Sequence, residues 1–370
     1  MAKKIGILNL CGTWGNYGAL LNAAALEHVI LQWGYDVETL HILPRHQNYA
    51  RKTLLKRKIG EIIKCVLLRN PNRYDVFGRF RKQHISLSKE TFDDAEKLHH
   101  TRFDHDAFVV GSDQIWRPQY TGNMALSYFL DFVQEGVPRI SYAASFGDDT
   151  WAEHPDDFNR KVTECLTRFT AISVREQSGK DICKNTFGVE AEHVLDPTLL
   201  VDRHYYDALI GSDGTGDSTS AKIVYYKLDP DHNFMMMLNM LGDEMQSKTK
   251  NIYFDEQRLA GKTLHSYFSV PEWLREIRDS RLVVTDSFHC ICLAIIFERN
   301  FVYVPNDRGL TRLESLLALF NLKDRIVFNK AALEKKTFWQ SDIDYQAVNE
   351  ILATQRLKSR RFLEDALKNA

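Results

Sequence analysis

The chain lacks any excess of charge of one sign. Its 48 Lys and Arg against 49 Asp and Glu leave a formal net charge of −1, which argues against a general nucleic-acid binder. Cysteine is scarce and unpaired in pattern. Cys11, Cys65, Cys165, Cys183, Cys290 and Cys292 form no CxxC pair, so reduced thiols in a cytoplasmic protein are the plain expectation. No apolar run approaches the roughly 20 residues needed to span a bilayer. Met1-Ala2-Lys3-Lys4 leads straight into a strand without the pattern of a signal peptide. No internal repeat, GxSxG elbow or metal-ligand set is evident. Cys290-x-Cys292 is too closely spaced for a zinc knuckle, and His99-His100 has no obvious partner.

What is present is enough apolar material for a full core. The 370 residues are 44% hydrophobic and 26% charged, and this length favours two domains. Strand and helix patterns alternate in two series. The first has strands at residues 5–10, 37–42, 107–110, 139–143 and 171–174, with helices near 19–32, 156–168 and 176–184. A short strand at 193–195 ends at Asp196-Pro197. The polar stretch 211–220 reads as a linker. The second series follows, with strands at 223–226, 251–254, 282–285 and 301–304, and helices at 233–245, 271–279, 290–297 and 311–320. Two βα series joined by a polar segment predict an α/β protein of two Rossmann-like domains facing a cleft. The expected divisions are 1–205, 206–345, and a charged amphipathic helix at 346–370 that crosses back to the first domain.

Four strand-end loops carry the candidate chemistry, because ligands of open α/β sheets sit outside the carboxyl ends of the strands. Val283-Val284-Thr285-Asp286-Ser287-Phe288-His289 is an apolar strand, a polar turn and the start of a helix. His289 would stand beside free helix N–H groups, able to hold an anion and hand it a proton. Ile172-Ser173-Val174-Arg175 ends a strand in a cation suited to a two-point clamp on carboxylate or phosphate, or simply to an ion pair with a nearby acid. In Gly111-Ser112-Asp113-Gln114-Ile115-Trp116, Asp113 suits a sugar hydroxyl and Trp116 a sugar face; capping and core packing are the competing roles. The loop Gly12-Thr13-Trp14-Gly15-Asn16-Tyr17-Gly18 has neither the GxGxxG spacing nor a P-loop Lys. It is a ligand loop or a tight strand-to-helix turn. Arg308 and Arg312, in a further loop, can add positive charge.

Between Arg51 and Lys82 stand eleven Lys or Arg and two acids. Within 51–69 the apolar residues fall on one helical face. Such a basic amphipathic helix either leans on an anionic membrane or lipid phosphate, or packs on its own domain with a solvated basic face.

In order along the chain, Asn16-Tyr17-Gly18-Ala19, Gly111-Ser112-Asp113-Gln114-x-Trp116, Ser141-Tyr142-Ala143-Ala144-Ser145-Phe146-Gly147, Ser173-Val174-Arg175-Glu176, Leu195-Asp196-Pro197-Thr198-Leu199-Leu200 and Thr285-Asp286-Ser287-Phe288-His289 resemble the polysaccharide pyruvyl transferase family. The resemblance runs from the first loop to about Arg325. It implies a GT-B-like fold and transfer of pyruvate from phosphoenolpyruvate to a sugar as a cyclic ketal, in bacterial capsule, exopolysaccharide or cell-wall synthesis. The family's key His matches His289, and its strand-end Arg matches Arg175. Two positions depart: Cys290 stands where Gly is usual after the His, and Ser287 where many members have Arg.

With His289, Arg175 and Asp113 as the catalytic set, the expected donor side is Arg175, Ser287, His289, Cys290, Arg308 and Arg312. The acceptor side is Asn16, Tyr17, Gly18, Asp113, Gln114 and Trp116. Histidine ordinarily titrates near pH 6.5, so it can serve as acid if a nearby anion keeps it protonated. No metal or cofactor is expected beyond phosphoenolpyruvate as co-substrate. The partners would be a glycan or lipid-linked sugar and, through 51–69, the inner face of the cytoplasmic membrane. A nucleotide-sugar glycosyltransferase and a non-catalytic sugar-binding protein of the same fold are the alternatives.

Overall fold

The computed structural model describes residues 2–12, 15–43, 75–211, 222–227, 230–259, 262–305, 310–334 and 342–370. The basic segment 51–69, Cys65 and Arg308 lie outside the described residues. The first lobe is built on a seven-stranded parallel sheet. Its order is Leu87–Phe92, Asp36–Ile42, Lys4–Leu8, Ala107–Val110, Arg139–Ala144, Ala171–Val174 and Glu192–His193. The second lobe has a four-stranded parallel sheet, ordered Asn300–Tyr303, Leu282–Thr285, Ile223–Tyr226 and Thr249–Asn251. Central strands such as Ala-Phe-Val-Val at 107–110 and Leu-Val-Val-Thr at 282–285 are buried throughout. Parallel sheets covered by helices on both faces demand such continuous apolar runs.

Three strands stand where none was expected. Leu87–Phe92 is an edge strand whose Lys89 and Glu90 are exposed, so it carries no apolar run to read. Asp255–Leu259 and Lys262–Ser266 form an antiparallel hairpin where no strand was expected. The division expected at residue 205 falls inside helix Arg203–Ile210, which packs against helix Val270–Arg278 of the second lobe.

Strand order reverses between Lys4–Leu8 and Ala107–Val110 in the first sheet, and between Ile223–Tyr226 and Leu282–Thr285 in the second. Each reversal opens a crevice at the carboxyl ends of its strands. The loops bearing Gly18, Asp113 and His289 leave from those ends. One apolar cluster passes from the first lobe through residues 194–210 into the second. At the junction Tyr17 stacks on Trp273, centroids 4.7 Å apart and planes 3° from parallel, and its hydroxyl donates to the Phe268 carbonyl at 2.8 Å.

Helix Tyr345–Lys368 does cross back. Tyr345 Oη donates to the Arg299 carbonyl (2.6 Å) in the second lobe, and Ser359 Oγ accepts the Leu195 N–H (2.9 Å) in the first. Among the described residues no helix is long and apolar enough to cross a membrane.

Candidate functional site

The centre of the site is a carboxylate, Asp196. It sits between strand Glu192–His193 and the one-turn helix Pro197–Leu200, which it caps: its Oδ1 accepts Thr198 N–H (2.9 Å) and Oγ1–H (2.7 Å). Its Oδ2 faces the cleft and accepts from Asn22 Nδ2 (2.9 Å), Ser112 Oγ (2.8 Å) and Arg175 Nη1 (2.9 Å). Burial works against its charge, but His289, Arg175 and the Thr198 bond outweigh burial and hold the carboxyl well below the usual carboxylate range.

Arg175 leaves the end of strand Ala171–Val174 and is 3% exposed. Its guanidinium bonds Asp196, approaches Asp113 Oδ1 at 3.5 Å, and lies 4.3 Å over the Phe288 ring. The expected clamp is therefore a buried fork already anchored on two carboxylates. Burial disfavours its charge; Asp196, Asp113 and Glu176 more than restore it. Its Nε finds no hydrogen-bond partner among the described residues.

Asp113 adopts φ +83°, in the left-handed region that side-chain-bearing residues rarely enter. Its carbonyl accepts Ile115 N–H and Ser145 N–H, and its carboxylate accepts Gln114 N–H at 2.9 Å. Those bonds fix the strained turn, and such strain concentrates at functional sites. Burial would raise its pKa, but Arg175, His289 and Arg312 hold it below the ordinary value.

His289 is the second residue of helix Phe288–Ile296 and is 7% exposed. The strand-end loop before it is pinned at each step. Thr285 Oγ1 donates to the Tyr226 carbonyl (2.6 Å) and accepts Ser287 N–H (3.0 Å); Asp286 receives Lys227 Nζ (3.1 Å), both side chains being nearly inaccessible. The two imidazole nitrogens differ. Nε2 is buried 3.6 Å from Asp196 Oδ2, a charge contact longer than a hydrogen bond. Nδ1 lies over Gly18, so close that a Cβ built there would stand 2.2 Å from it. The N-terminal ends of the first helix, Tyr17–Gln32, and of the His289 helix thus meet across the cleft, because position 18 carries no side chain.

Arg312, on helix Leu310–Leu319, reaches the same chamber from the second lobe, with Arg175, Glu176, Asp113 and Tyr120 as its electrostatic neighbours. Burial and the like charge of Arg175 lower its pKa, an arrangement that an added anion would relieve. Glu176 accepts the Phe146 N–H at 2.9 Å, and burial raises its pKa despite Arg175 and Arg312. Arg175 Nε, Arg312 Nε, His289 Nε2 and Glu176 Oε2 are all buried and without hydrogen-bond partners among the described residues. Buried polar atoms are normally paired, so this concentration marks the place where a polar guest would find partners.

Several expected roles do not survive the geometry. Trp116 is fully buried, stacked on Phe129 with its Nε1–H donated to the Tyr128 carbonyl; it is core and offers no face to a sugar. Tyr17 likewise has no exposed surface, being spent on the lobe junction. The Cys290 N–H is capped by Ser287 Oγ at 3.4 Å, so it is not a free donor, and burial pushes the Cys290 thiol up to about 12. By contrast Asn16, which caps the first helix through Ala19 N–H (3.0 Å), and Gln114, held by Arg117 Nη1 (3.0 Å) at the rim, keep exposed surface.

Sequence reasoning gave no role to Asp196, Asn22, Ser112, Glu176 or Phe288. Asn22 had a readable signal: it is a polar residue within the apolar run Ala19–Leu26 of a buried helix. Among the described residues, no group of three or more His, Cys, Asp or Glu is gathered as a metal would require.

Solved structures that this chain resembles include the putative UDP-N-acetylglucosamine 2-epimerase of Listeria monocytogenes. The two share 10% identity over 95% of this chain and 91% of that one, with a TM-score of 0.56. The UDP-GlcNAc 2-epimerase of Methanocaldococcus jannaschii, in complex with UDP-GlcNAc and UDP, gives 12% identity, 100% coverage of each chain and a TM-score of 0.53. At such identities the likeness is one of fold, and that fold is GT-B. No curated protein matches the chain. The sequence profile described as polysaccharide pyruvyl transferase matches residues 16–308, which hold all the site residues described above except Arg312. By that match, the chain belongs to the polysaccharide pyruvyl transferase family.

Proposed function

We propose that the protein transfers pyruvate from phosphoenolpyruvate to two hydroxyls of a hexose, on a surface polysaccharide or its lipid-linked precursor, forming a cyclic ketal and releasing phosphate. The observation that carries the proposal is the pair of buried, unpartnered guanidinium nitrogens, Arg175 Nε and Arg312 Nε, gathered with His289 about Asp113. A three-carbon donor bearing a carboxylate and a phosphate needs several such donors, since burying unpaired charge is prohibitive.

The chemistry follows from the two imidazole nitrogens. Asp196 faces Nε2 at 3.6 Å, leaving Nδ1, beside Gly18, to deliver the proton. The proton goes to the donor's methylene carbon, making it a methyl group, and positive charge develops at the central carbon. One sugar hydroxyl attacks that carbon and its proton returns to the imidazole. Phosphate departs as the C–O bond to it breaks, and the second hydroxyl attacks, its proton leaving with the phosphate. Arg175 and Arg312 hold the donor's anionic groups, and Asp113 orients a sugar hydroxyl on the acceptor side. The reaction would take place in the cytoplasm. Lipid-linked acceptors would bring the protein to the inner membrane face, with segment 51–69 as the contact.

Mass spectrometry of candidate lipid-linked sugars after incubation with phosphoenolpyruvate tests the reaction. A product heavier by one pyruvate less one water supports the reading. A nucleotide sugar that raises the melting temperature where phosphoenolpyruvate does not would favour a glycosyltransferase instead. Acceptor binding without phosphate release would favour a sugar-binding protein.

Two variants probe the roles. Gly18→Ala pushes a methyl group into the imidazole, so turnover should fall about 100-fold while circular dichroism stays unchanged. Normal turnover would separate Nδ1 from the chemistry. Arg175→Lys replaces a planar fork by a point charge, so the Michaelis constant for phosphoenolpyruvate should rise and turnover should drop, by about tenfold each. An unaltered donor response would remove Arg175 from donor binding.

A further inference from the structure

The C-terminal helix lies beyond the family match, which ends at residue 308. Yet it touches both halves of the His289–Asp196 pair. At its start, Tyr345 Oη donates to the carbonyls of Arg299 (2.6 Å) and Ala294 (3.3 Å), and Ala294 belongs to the His289 helix. Further on, Ser359 Oγ accepts the N–H of Leu195, the residue before Asp196, at 2.9 Å. The Leu195 carbonyl accepts Tyr142 Oη at 2.9 Å. Both backbone polar groups of Leu195 are therefore held by side chains in the dry interior, Ser359 on the N–H and Tyr142 on the carbonyl.

The far end of the short helix is held by the same element. Arg356 Nε donates to the Leu199 carbonyl (2.8 Å), Arg356 Nη2 to Val201 (3.0 Å), and Arg360 Nη1 to Leu200 (3.4 Å). Helix Pro197–Leu200 is one turn long. A single turn has no stability of its own and takes its position from outside contacts.

We propose that the C-terminal helix is a spacer bar of the site, with Ser359 and Arg356 as positioning residues that set the aim of the Asp196 carboxylate on His289. Neither residue touches the chamber; both act through the backbone at 195–201. The expected effect on turnover rests on the pyruvyl-transfer reading, whereas the expected effect on the imidazole does not.

The experiment compares wild type with Ser359→Ala in the full chain. The imidazole signal of His289 is followed by nuclear magnetic resonance and identified by its loss in His289→Asn. Phosphate release from phosphoenolpyruvate is followed alongside. Ser359→Ala should move the His289 signal and lower kcat about tenfold, leaving KM for phosphoenolpyruvate within twofold. Ser359→Thr, which keeps the hydroxyl, should return the signal towards its wild-type place. Leu357→Ala, at an exposed position of the same helix, should change neither. An unmoved His289 signal with unchanged kcat in Ser359→Ala overturns the proposal, as does a drop in melting temperature alone. If Ser359→Ala does not fold, Arg356→Lys, which loses the planar fork that spans the two carbonyls, is read by the same criteria. A wild-type protein inert towards phosphoenolpyruvate would defeat the functional reading, and the imidazole signal would still decide this one.

Discussion

His289→Asn should lower pyruvyl transfer about 1,000-fold, within the range that a positioned acid contributes, while the Michaelis constant for phosphoenolpyruvate stays within a few-fold of normal. The separation follows from the division of labour in the chamber. Arg175 and Arg312 carry the fixed charges, so donor binding outlasts loss of the imidazole. Proton delivery to carbon does not, because the carboxyl groups around the pair among the described residues are Asp113, Asp196 and Glu176. Two of those are held ionised by neighbouring cations and cannot supply a proton. Glu176 does have a raised pKa, but its charged neighbours are Arg175 and Arg312 rather than the His289–Asp196 pair. The measurement is steady-state phosphate release with acceptor present, together with donor binding by calorimetry. Near-normal turnover would take His289 out of the mechanism. Lost binding with turnover intact at saturation would make it a donor ligand only.

Asp196→Asn should cost both activity and stability. The substitution keeps the shape but removes the charge that faces Arg175 and His289. Breaking a buried ion pair from one side costs about 3–5 kcal/mol, and the lower end applies because Arg175 keeps Asp113 at 3.5 Å. Turnover should fall about 100-fold as the imidazole loses its supporting anion. The pH dependence has a definite sign. The folded-state pKa of Asp196 lies below its unfolded value, so its stabilisation is fully present above roughly pH 4 and is lost as pH falls through the depressed folded value. In urea titrations the gap between wild type and Asp196→Asn should therefore be full at pH 7 and narrow under acid. A gap that is absent at pH 7, or that widens on acidification, would show that the carboxylate does not hold the cluster together.

Much of the site was legible because strand ends are legible. Val283–Thr285 and Ile172–Val174 are apolar runs that stop at a polar residue, and the parallel-sheet rule places whatever follows at the cleft. His289, Arg175 and Asp113 were found that way. Trp116 follows such a strand too, yet it turns inward, because six residues past the strand end at Val110 are enough for the chain to re-enter the core against Phe129 and Phe146. Asp196 escaped for the opposite reason. Asp before Pro is an ordinary helix-capping pattern, and only the arrival of Asn22 from the first helix and of Ser112 and Arg175 from two strand ends makes it a hub. Gly18 was read as a residue allowing close approach of a ligand; what approaches is an imidazole from the other lobe, a relation between residues 271 positions apart that no local pattern carries.

The stacked Tyr17–Trp273 pair limits how the enzyme can breathe. Swinging the lobes apart would wet two fully enclosed rings, on the order of 150–250 Å² each, at about 25 cal/mol per Å², hence roughly 7–12 kcal/mol. At tenfold per 1.4 kcal/mol, a gaping state would hold fewer than about one molecule in 10⁵. On the proposed reaction, donor and phosphate would therefore pass by the rim, where the half-exposed Tyr120 and its Arg117 neighbour stand, while the Tyr17–Trp273 side stays shut.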